Sequence, residues 1–227
     1  MAKEINVTLN GKKIKGRAGI TILELAKEHG VEIPSLCYHS KLRPIGACRV
    51  CVVEIEGSKT LAGSCYTPVQ EGMVINTHSP KVIEARKIIM ELLLSSHSGD
   101  CLFCSKANIC ELRRLAADLG VAISRFRSKK RFYPPEEGCP WMYRDMTKCI
   151  LCYRCIWACR DLAKKNVLSV GYRGFKNKVI CDSDKPLDKE VCKLCEECIK
   201  VCPVGALTKP EKRFHKQKEK PFIIKNE

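Results

Sequence analysis

Apolar residues alternate with polar ones at Ile5, Val7 and Leu9, the period-two pattern of a strand with one buried face. Asn10-Gly11 follows, a strong hairpin signal, and Ile14 carries a second strand. From Thr21 the period changes. Thr21 and Glu24 form a capping box, Ile22, Leu25 and Ala26 make an apolar stripe, and Gly30 stops the predicted helix. Short runs around Cys51 to Ile55 and Met73 to Thr77 predict two more strands. Residues 1–78 thus read as a β-grasp arrangement, a small sheet crossed by one helix.

Ser79-Pro80 predicts a second helix start, and Val82, Ile83, Ile88, Ile89, Leu92 and Leu93 recur at helical spacing up to Ser95, just before His97. A shorter helix is expected from Glu111 to Leu119, with Gly120 as its C-cap. Residues 79–123 therefore form a small helical segment. Residues 124–138 are basic from Arg125 to Arg131 and then reach Pro134-Pro135, as in a linker wrapping over a surface. A third unit spans 139–208. Residues 209–227 are a lysine-rich tail expected to be extended or bound by a partner.

Composition changes this picture at one residue type. The 227-residue chain has 17 cysteines, yet it is long enough to bury a core without disulfides. The N-terminus, from Met1 to Asn6, lacks the apolar stretch of a secretory signal, and the cysteine count is odd. A reduced, cytoplasmic setting is expected. No apolar run approaches the 18 or so residues of a membrane span.

Fifteen cysteines and one histidine fall into four constellations. The first is Cys37-x10-Cys48-x2-Cys51-x13-Cys65, where Pro44 and Gly46 let the long loop fold round a small inorganic core. Four thiolates so arranged suit a [2Fe-2S] cluster. Zinc is the alternative, although its usual short pairs on both sides are missing. The second is His97-x3-Cys101-x2-Cys104-x5-Cys110, in which the imidazole can complete a [4Fe-4S] shell; Cys3His is also a zinc combination.

The third and fourth are Cys149-x2-Cys152-x2-Cys155-x3-Cys159 and Cys192-x2-Cys195-x2-Cys198-x3-Cys202-Pro203. In such motifs three cysteines wrap one face of a cubane, and the fourth points to the neighbouring cluster. The expected ligand sets are therefore crossed. Cys149, Cys152, Cys155 and Cys202 serve one [4Fe-4S] cluster, and Cys192, Cys195, Cys198 and Cys159 the other. Arg160 stands where the bacterial ferredoxin pattern has proline, and is expected to cap a cluster or an interface. Cys139 and Cys181 are left as structural cysteines, and His39 as a loop residue beside the first site.

The fold class expected is α+β: an N-terminal β-grasp [2Fe-2S] ferredoxin-like domain, a small helical His/Cys3 cluster segment, and a C-terminal two-cluster [4Fe-4S] ferredoxin-like domain. No catalytic residues are assigned. The formal charge of +16 suggests nucleic acid at first sight. Fifteen thiolates and four oxidised cores reduce it to about +9, and one electron per cluster to about +5. The basicity therefore offsets clusters, and no nucleic-acid partner is expected.

This order of sites resembles the N-terminal region of the large iron-sulfur subunit of respiratory complex I. It is closer still to the matching regions of [FeFe]-hydrogenases, of the diaphorase iron-sulfur subunit of NAD-reducing [NiFe]-hydrogenases, and of electron-bifurcating relatives. The resemblance covers residues 3 to 208 and includes all fifteen cysteine positions. The chain has no dinucleotide-binding glycine turn and no P-loop, and ends at Glu227 without room for a hydrogenase or pterin domain. The resemblance implies an electron-relay subunit of a multi-subunit NAD(P)-linked oxidoreductase, of hydrogenase, transhydrogenase or formate dehydrogenase type, in a hetero-oligomer. Electrons are expected to enter from a flavin-containing NAD(P)H-binding subunit. They would leave toward a hydrogenase, another catalytic redox subunit or a soluble ferredoxin. Arg125 to Arg131 and the tail are expected to clasp those partners. A free-standing polyferredoxin and, more remotely, a zinc-rich nucleic-acid module are the alternatives.

Overall fold

A computed structural model describes residues 3–210 apart from 98, 100, 129, 135, 137–140, 186, 188–191, 193 and 194. Cys139 and the tail beyond residue 210 lie outside the described residues.

Strands β1 (Glu4–Leu9) and β2 (Lys12–Arg17) form the expected antiparallel hairpin, its register running from Glu4 opposite Arg17 to Leu9 opposite Lys12. The turn needs its residues, because Asn10 and Gly11 both have positive φ, 49° and 80°. Helix α1 (Ile22–Glu28) opens with the predicted box: Thr21 Oγ1 accepts from Glu24 N at 3.2 Å, and Glu24 Oε2 accepts from Thr21 N at 2.9 Å. Strands β3 (Val52–Ile55), β4 (Ala62–Gly63) and β5 (Val74–Asn76) complete a five-stranded sheet ordered β2-β1-β5-β3-β4, with β1 and β5 parallel. Ile5, Val7 and Leu9 meet Ile22, Leu25, Ala26, Val53 and Ile75 in its core.

Helix α2 (Pro80–Ser96) is capped by Ser79 and ends on His97. Its buried face departs from the predicted stripe. Val82, Arg86 and Met90, spaced by four, point inward with Glu91, while Ile83 and Leu92 are exposed. The hydrophobic pattern misled here because a charged residue occupies the centre of the inner face. Helix α3 (Glu111–Asp118) buries Leu112, Leu115 and Ala116.

In the third unit, β6 (Tyr143–Arg144) pairs antiparallel with β9 (Leu207–Thr208), closing its two ends on each other. Between them lie α4 (Arg154–Trp157), the hairpin β7 (Leu168–Gly171) and β8 (Lys178–Cys181), and α5 (Glu197–Val201). Both short helices start from a left-handed residue, Tyr153 (φ 59°) and Glu196 (φ 58°), each directly after the second cysteine of its motif. The two motifs thus repeat one local geometry. A π-helical turn over Ala158–Leu162 carries Cys159.

One core runs through all three units: Leu36, Cys37, Cys48 and Val50 pack with Met90, Leu112 and Leu115 and with Met142, Met146, Val179 and Leu207. Leu42 adds a second contact, against Ala158 and Val201.

The basic linker is tied down within the chain. Arg125 Nε reaches both oxygens of Glu91 at 2.9 Å, and Arg131 donates to the carbonyls of Cys149 (3.0 Å) and Asn177 (3.3 Å). Both arginines thus contribute to packing within the chain, while the Arg125 side chain stays largely exposed.

Candidate metal centres

Cys37, Cys48, Cys51 and Cys65 are all buried, on the loops flanking β3 and β4. Leu36 N donates to Cys48 Sγ at 3.3 Å. The four thiols are interlinked. Cys37 accepts hydrogen bonds from Cys48 and Cys65 and is pushed down to about 2, and Cys51, bonded by Cys65, to about 6. Cys48 and Cys65, the donors, are pushed up. His39 is half-buried, with Nδ1 accepting from Lys41 N at 3.3 Å.

His97 is buried, and its Nδ1 has no hydrogen-bond partner. Burial pushes its pKa down, against the opposing Lys148 backbone, so the ring is neutral at physiological pH. A neutral imidazole with an orphaned nitrogen fits a metal ligand. Cys101 and Cys104 are half-exposed and Cys110 buried; burial raises Cys110, with Cys104 and Cys101 near enough to add to the effect. A Cβ at Gly205 would collide with Cys104 Sγ, so the third unit offers a glycine where this sulfur sits. Lys106, inside the same motif, donates to the carbonyls of Ile199 (3.0 Å) and Cys202 (2.8 Å), and Glu111 N to that of Pro203 (2.9 Å).

The remaining eight cysteines line two cavities. One is walled by Cys149, Cys152, Cys155 and Cys202 together with Met146, Ile150 and Val204. The other is walled by Cys159, Cys192, Cys195 and Cys198 with Met142, Val167 and Leu168. Each cavity takes three cysteines from one motif and the fourth from the other. The π-helical turn makes this possible for Cys159, whose sulfur accepts from Val167 N at 3.3 Å. Leu151 N donates likewise to Cys149 Sγ at 3.4 Å.

Burial pushes Cys149 up to about 11 and Cys198 to about 12, and Cys152 and Cys155 also well upward. Dry walls of this kind disfavour bare thiolates, and a cationic core is what ionises them. Four cysteines around each dry cavity are a donor set that fits an iron-sulfur cluster.

Sequence reasoning missed the buried arginines near these sites, Arg86, Arg144 and Arg154. Arg154, between Cys152 and Cys155, makes a bidentate pair with Glu111 at 2.8 and 2.9 Å. Arg86 reaches β3 from α2. Neither Arg154 nor Arg86 sits at a position that hydrophobic periodicity marks. Arg160 stacks on Trp157 and pairs with Asp161, and it is Asp161 that faces Arg43 of the long first loop at 3.7 Å. Cys181 is buried, accepting from Arg144 Nη1 at 3.0 Å and donating to the Lys185 carbonyl at 3.3 Å.

Three family descriptions match consecutive parts of the chain: a 2Fe-2S iron-sulfur cluster binding domain over residues 2–80, the NADH-ubiquinone oxidoreductase-G iron-sulfur binding region over 86–125, and the NADH-quinone oxidoreductase subunit 3 ferredoxin-like domain over 139–208. Fold and matches together define an iron-sulfur protein with a [2Fe-2S] domain and [4Fe-4S]-binding domains.

The NADP-reducing hydrogenase subunit HndD of Solidesulfovibrio fructosivorans is 40% identical over 91% of the chain, and the mitochondrial NADH-ubiquinone oxidoreductase 78 kDa subunit of Neurospora crassa 35% identical over 98%. The chain spans only 36% and 29% of those two relatives. A chain in the crystal structure of an NAD+-reducing [NiFe]-hydrogenase superimposes with a TM-score of 0.81 at 30% identity, covering 93% of this chain and 89% of that one. The chain belongs to the family of iron-sulfur subunits and regions of NAD(P)-linked oxidoreductases. Among the described residues no helix is long and apolar enough to cross a membrane.

Proposed function

We propose that this chain relays single electrons in a multi-subunit, cytoplasmic NAD(P)-linked oxidoreductase, between a flavin-containing NAD(P)H-binding subunit and a hydrogenase, another catalytic redox subunit or a soluble ferredoxin. The observation that carries the reading is the pair of cavities, each lined by four cysteines drawn from both motifs. Cys37, Cys48, Cys51 and Cys65 would hold one [2Fe-2S] cluster. Three [4Fe-4S] clusters would be held by His97, Cys101, Cys104 and Cys110; by Cys149, Cys152, Cys155 and Cys202; and by Cys192, Cys195, Cys198 and Cys159. When bound, each cluster takes up and returns one electron at a potential set by core charge, hydrogen bonds to sulfur and burial.

The chain's own residues supply those settings. Amides of Leu36, Leu151 and Val167 point at ligand sulfurs and spread their negative charge. His97 replaces an anionic ligand by a neutral one, so its site differs in charge from the others. Lys106 and the Arg154–Glu111 pair join the segments carrying Cys104, Cys110, Cys155 and Cys202, fixing the spacing between sites that must exchange electrons. The continuous core does the same for the Cys37 loop.

The test is reduction of the anaerobically purified complex by NADH or NADPH. The reading expects visible absorption of this chain to bleach when the flavin subunit is present and to persist when that subunit is omitted. Bleaching without the flavin subunit, or none with it, contradicts the relay role.

A further inference from the structure

Arg86 is 2% exposed, on the inner face of α2 between Val82 and Met90. Its Nη2 donates to the Val52 carbonyl at 2.8 Å, its Nε has no hydrogen-bond partner, and among the described residues no carboxylate stands within ion-pairing distance. The neighbouring acidic residues of α2 are engaged elsewhere: Glu84 and Glu91 both face Arg125. A guanidinium taken out of water without an anion is costly, so an unpaired one at this depth implies a counter-charge that the side-chain carboxylates do not provide.

Val52 directly follows Cys51, and the Cys51 sulfur is the negative group that acts on Arg86. Burial is the larger influence and pushes the guanidinium down to about 10; Cys51 opposes it. His78 lies in the same field, disfavoured as a cation first by burial and then by Arg86. Arginine suits this position better than lysine, because its weakly hydrated, delocalised charge tolerates burial while one nitrogen holds a carbonyl.

We propose that Arg86 is the internal counter-ion of the Cys37, Cys48, Cys51 and Cys65 site, and that its charge raises the reduction potential of the cluster held there. The inference rests on the [2Fe-2S] reading of those cysteines. Four thiolates outweigh a doubly charged core, and reduction adds one more negative charge. A fixed positive charge in a poorly screened setting therefore favours the reduced form over the oxidised one. Arg86 acts through the field at Cys51 and is a tuning residue rather than a ligand. It also ties α2 to β3, and α2 ends at His97, so the same side chain holds the first site in register with the second.

The experiment is a potentiometric titration of the full-length chain in its complex, followed by electron paramagnetic resonance at the [2Fe-2S] signal. Arg86→Met should bias the oxidised-to-reduced ratio at least tenfold toward the oxidised form, about 59 mV for a one-electron couple, leaving the [4Fe-4S] potentials in place. Arg86→Lys, which keeps the charge and changes the shape, should recover most of that shift. If Arg86→Met does not assemble, Arg86→Gln, which keeps a donor for Val52, carries the same comparison. An unchanged potential in the neutral variants, or an equal shift in the lysine and neutral variants, overturns the counter-ion role. A missing [2Fe-2S] signal in the unaltered protein overturns the cluster reading beneath it.

Discussion

Gly205→Ala probes the seam between the His97 segment and the third unit. Backbone conformation does not demand glycine at this position, since its φ lies outside the left-handed range; the demand is spatial. An added Cβ would collide with Cys104 Sγ and would lie 3.5 Å from Lys148 Cδ and 3.9 Å from Lys106 Cβ. Relief by separating the segments is opposed by three bonds: Glu111 N to Pro203 O at 2.9 Å and Lys106 Nζ to the carbonyls of Ile199 and Cys202. The sulfur must therefore move, and a methyl forced into a packed contact costs about 1–3 kcal/mol. In a chain of this size that is a fall in melting temperature of about 2–10 °C. Because the displaced atom is a proposed ligand, iron content should also drop, by up to about four atoms per chain, with the other sites retained. Thermal unfolding and iron analysis of the anaerobically purified variant provide the assay. An unchanged melting temperature together with unchanged iron would refute the contact and the ligand role of Cys104.

Cys159→Ser should disturb the site of Cys192, Cys195 and Cys198 and spare that of Cys149, Cys152 and Cys155, which magnetic resonance of the separate [4Fe-4S] signals can read; loss confined to the latter contradicts the crossed sets. Glu111→Ala strands the buried Arg154 guanidinium and should cost about 2–4 kcal/mol in denaturant unfolding, with a cost near zero counting against that pair. Glu71 accepts from the side chain and backbone of Asn6, which holds its carboxyl below the usual value of 4.5. Such a group stabilises the fold above its unfolded value and loses that contribution as pH falls through the folded one. Glu71→Gln should accordingly flatten the loss of cluster-free protein stability below pH 4.5, and an unaltered pH profile would remove Glu71 from it. Deleting residues 209–227 should weaken co-purification with partner subunits at full iron content, and an intact complex would release the tail from docking.

The parts of the fold readable in the sequence are those that local rules determine. Asn10-Gly11 sets a turn, Thr21 with Glu24 caps a helix, Ser79-Pro80 starts one, and Gly120 stops one, each within a residue or two of the observed boundary. Cysteine spacing is legible for another reason. It is imposed by the dimensions of an inorganic core, so it repeats where backbone periodicity is absent. The β7–β8 hairpin lies between two such motifs and its short alternation, at Leu168, Val170, Val179 and Cys181, gave too little signal to separate from loop. The π-helical turn at Cys159 arises from the need to aim one sulfur at the other cavity, which no propensity encodes. Arg86 and Arg131 could not be read either. Both are charged residues whose partners are backbone carbonyls far away in the chain, at Val52, Cys149 and Asn177.

The central claim, that these cysteine cavities hold a chain of redox clusters, is tested most directly by metal and sulfide analysis of the full-length chain purified without oxygen. The account predicts about fourteen iron atoms per chain, from one two-iron and three four-iron sites, with matching acid-labile sulfide and no stoichiometric zinc. Stoichiometric zinc with little iron and no labile sulfide would contradict it.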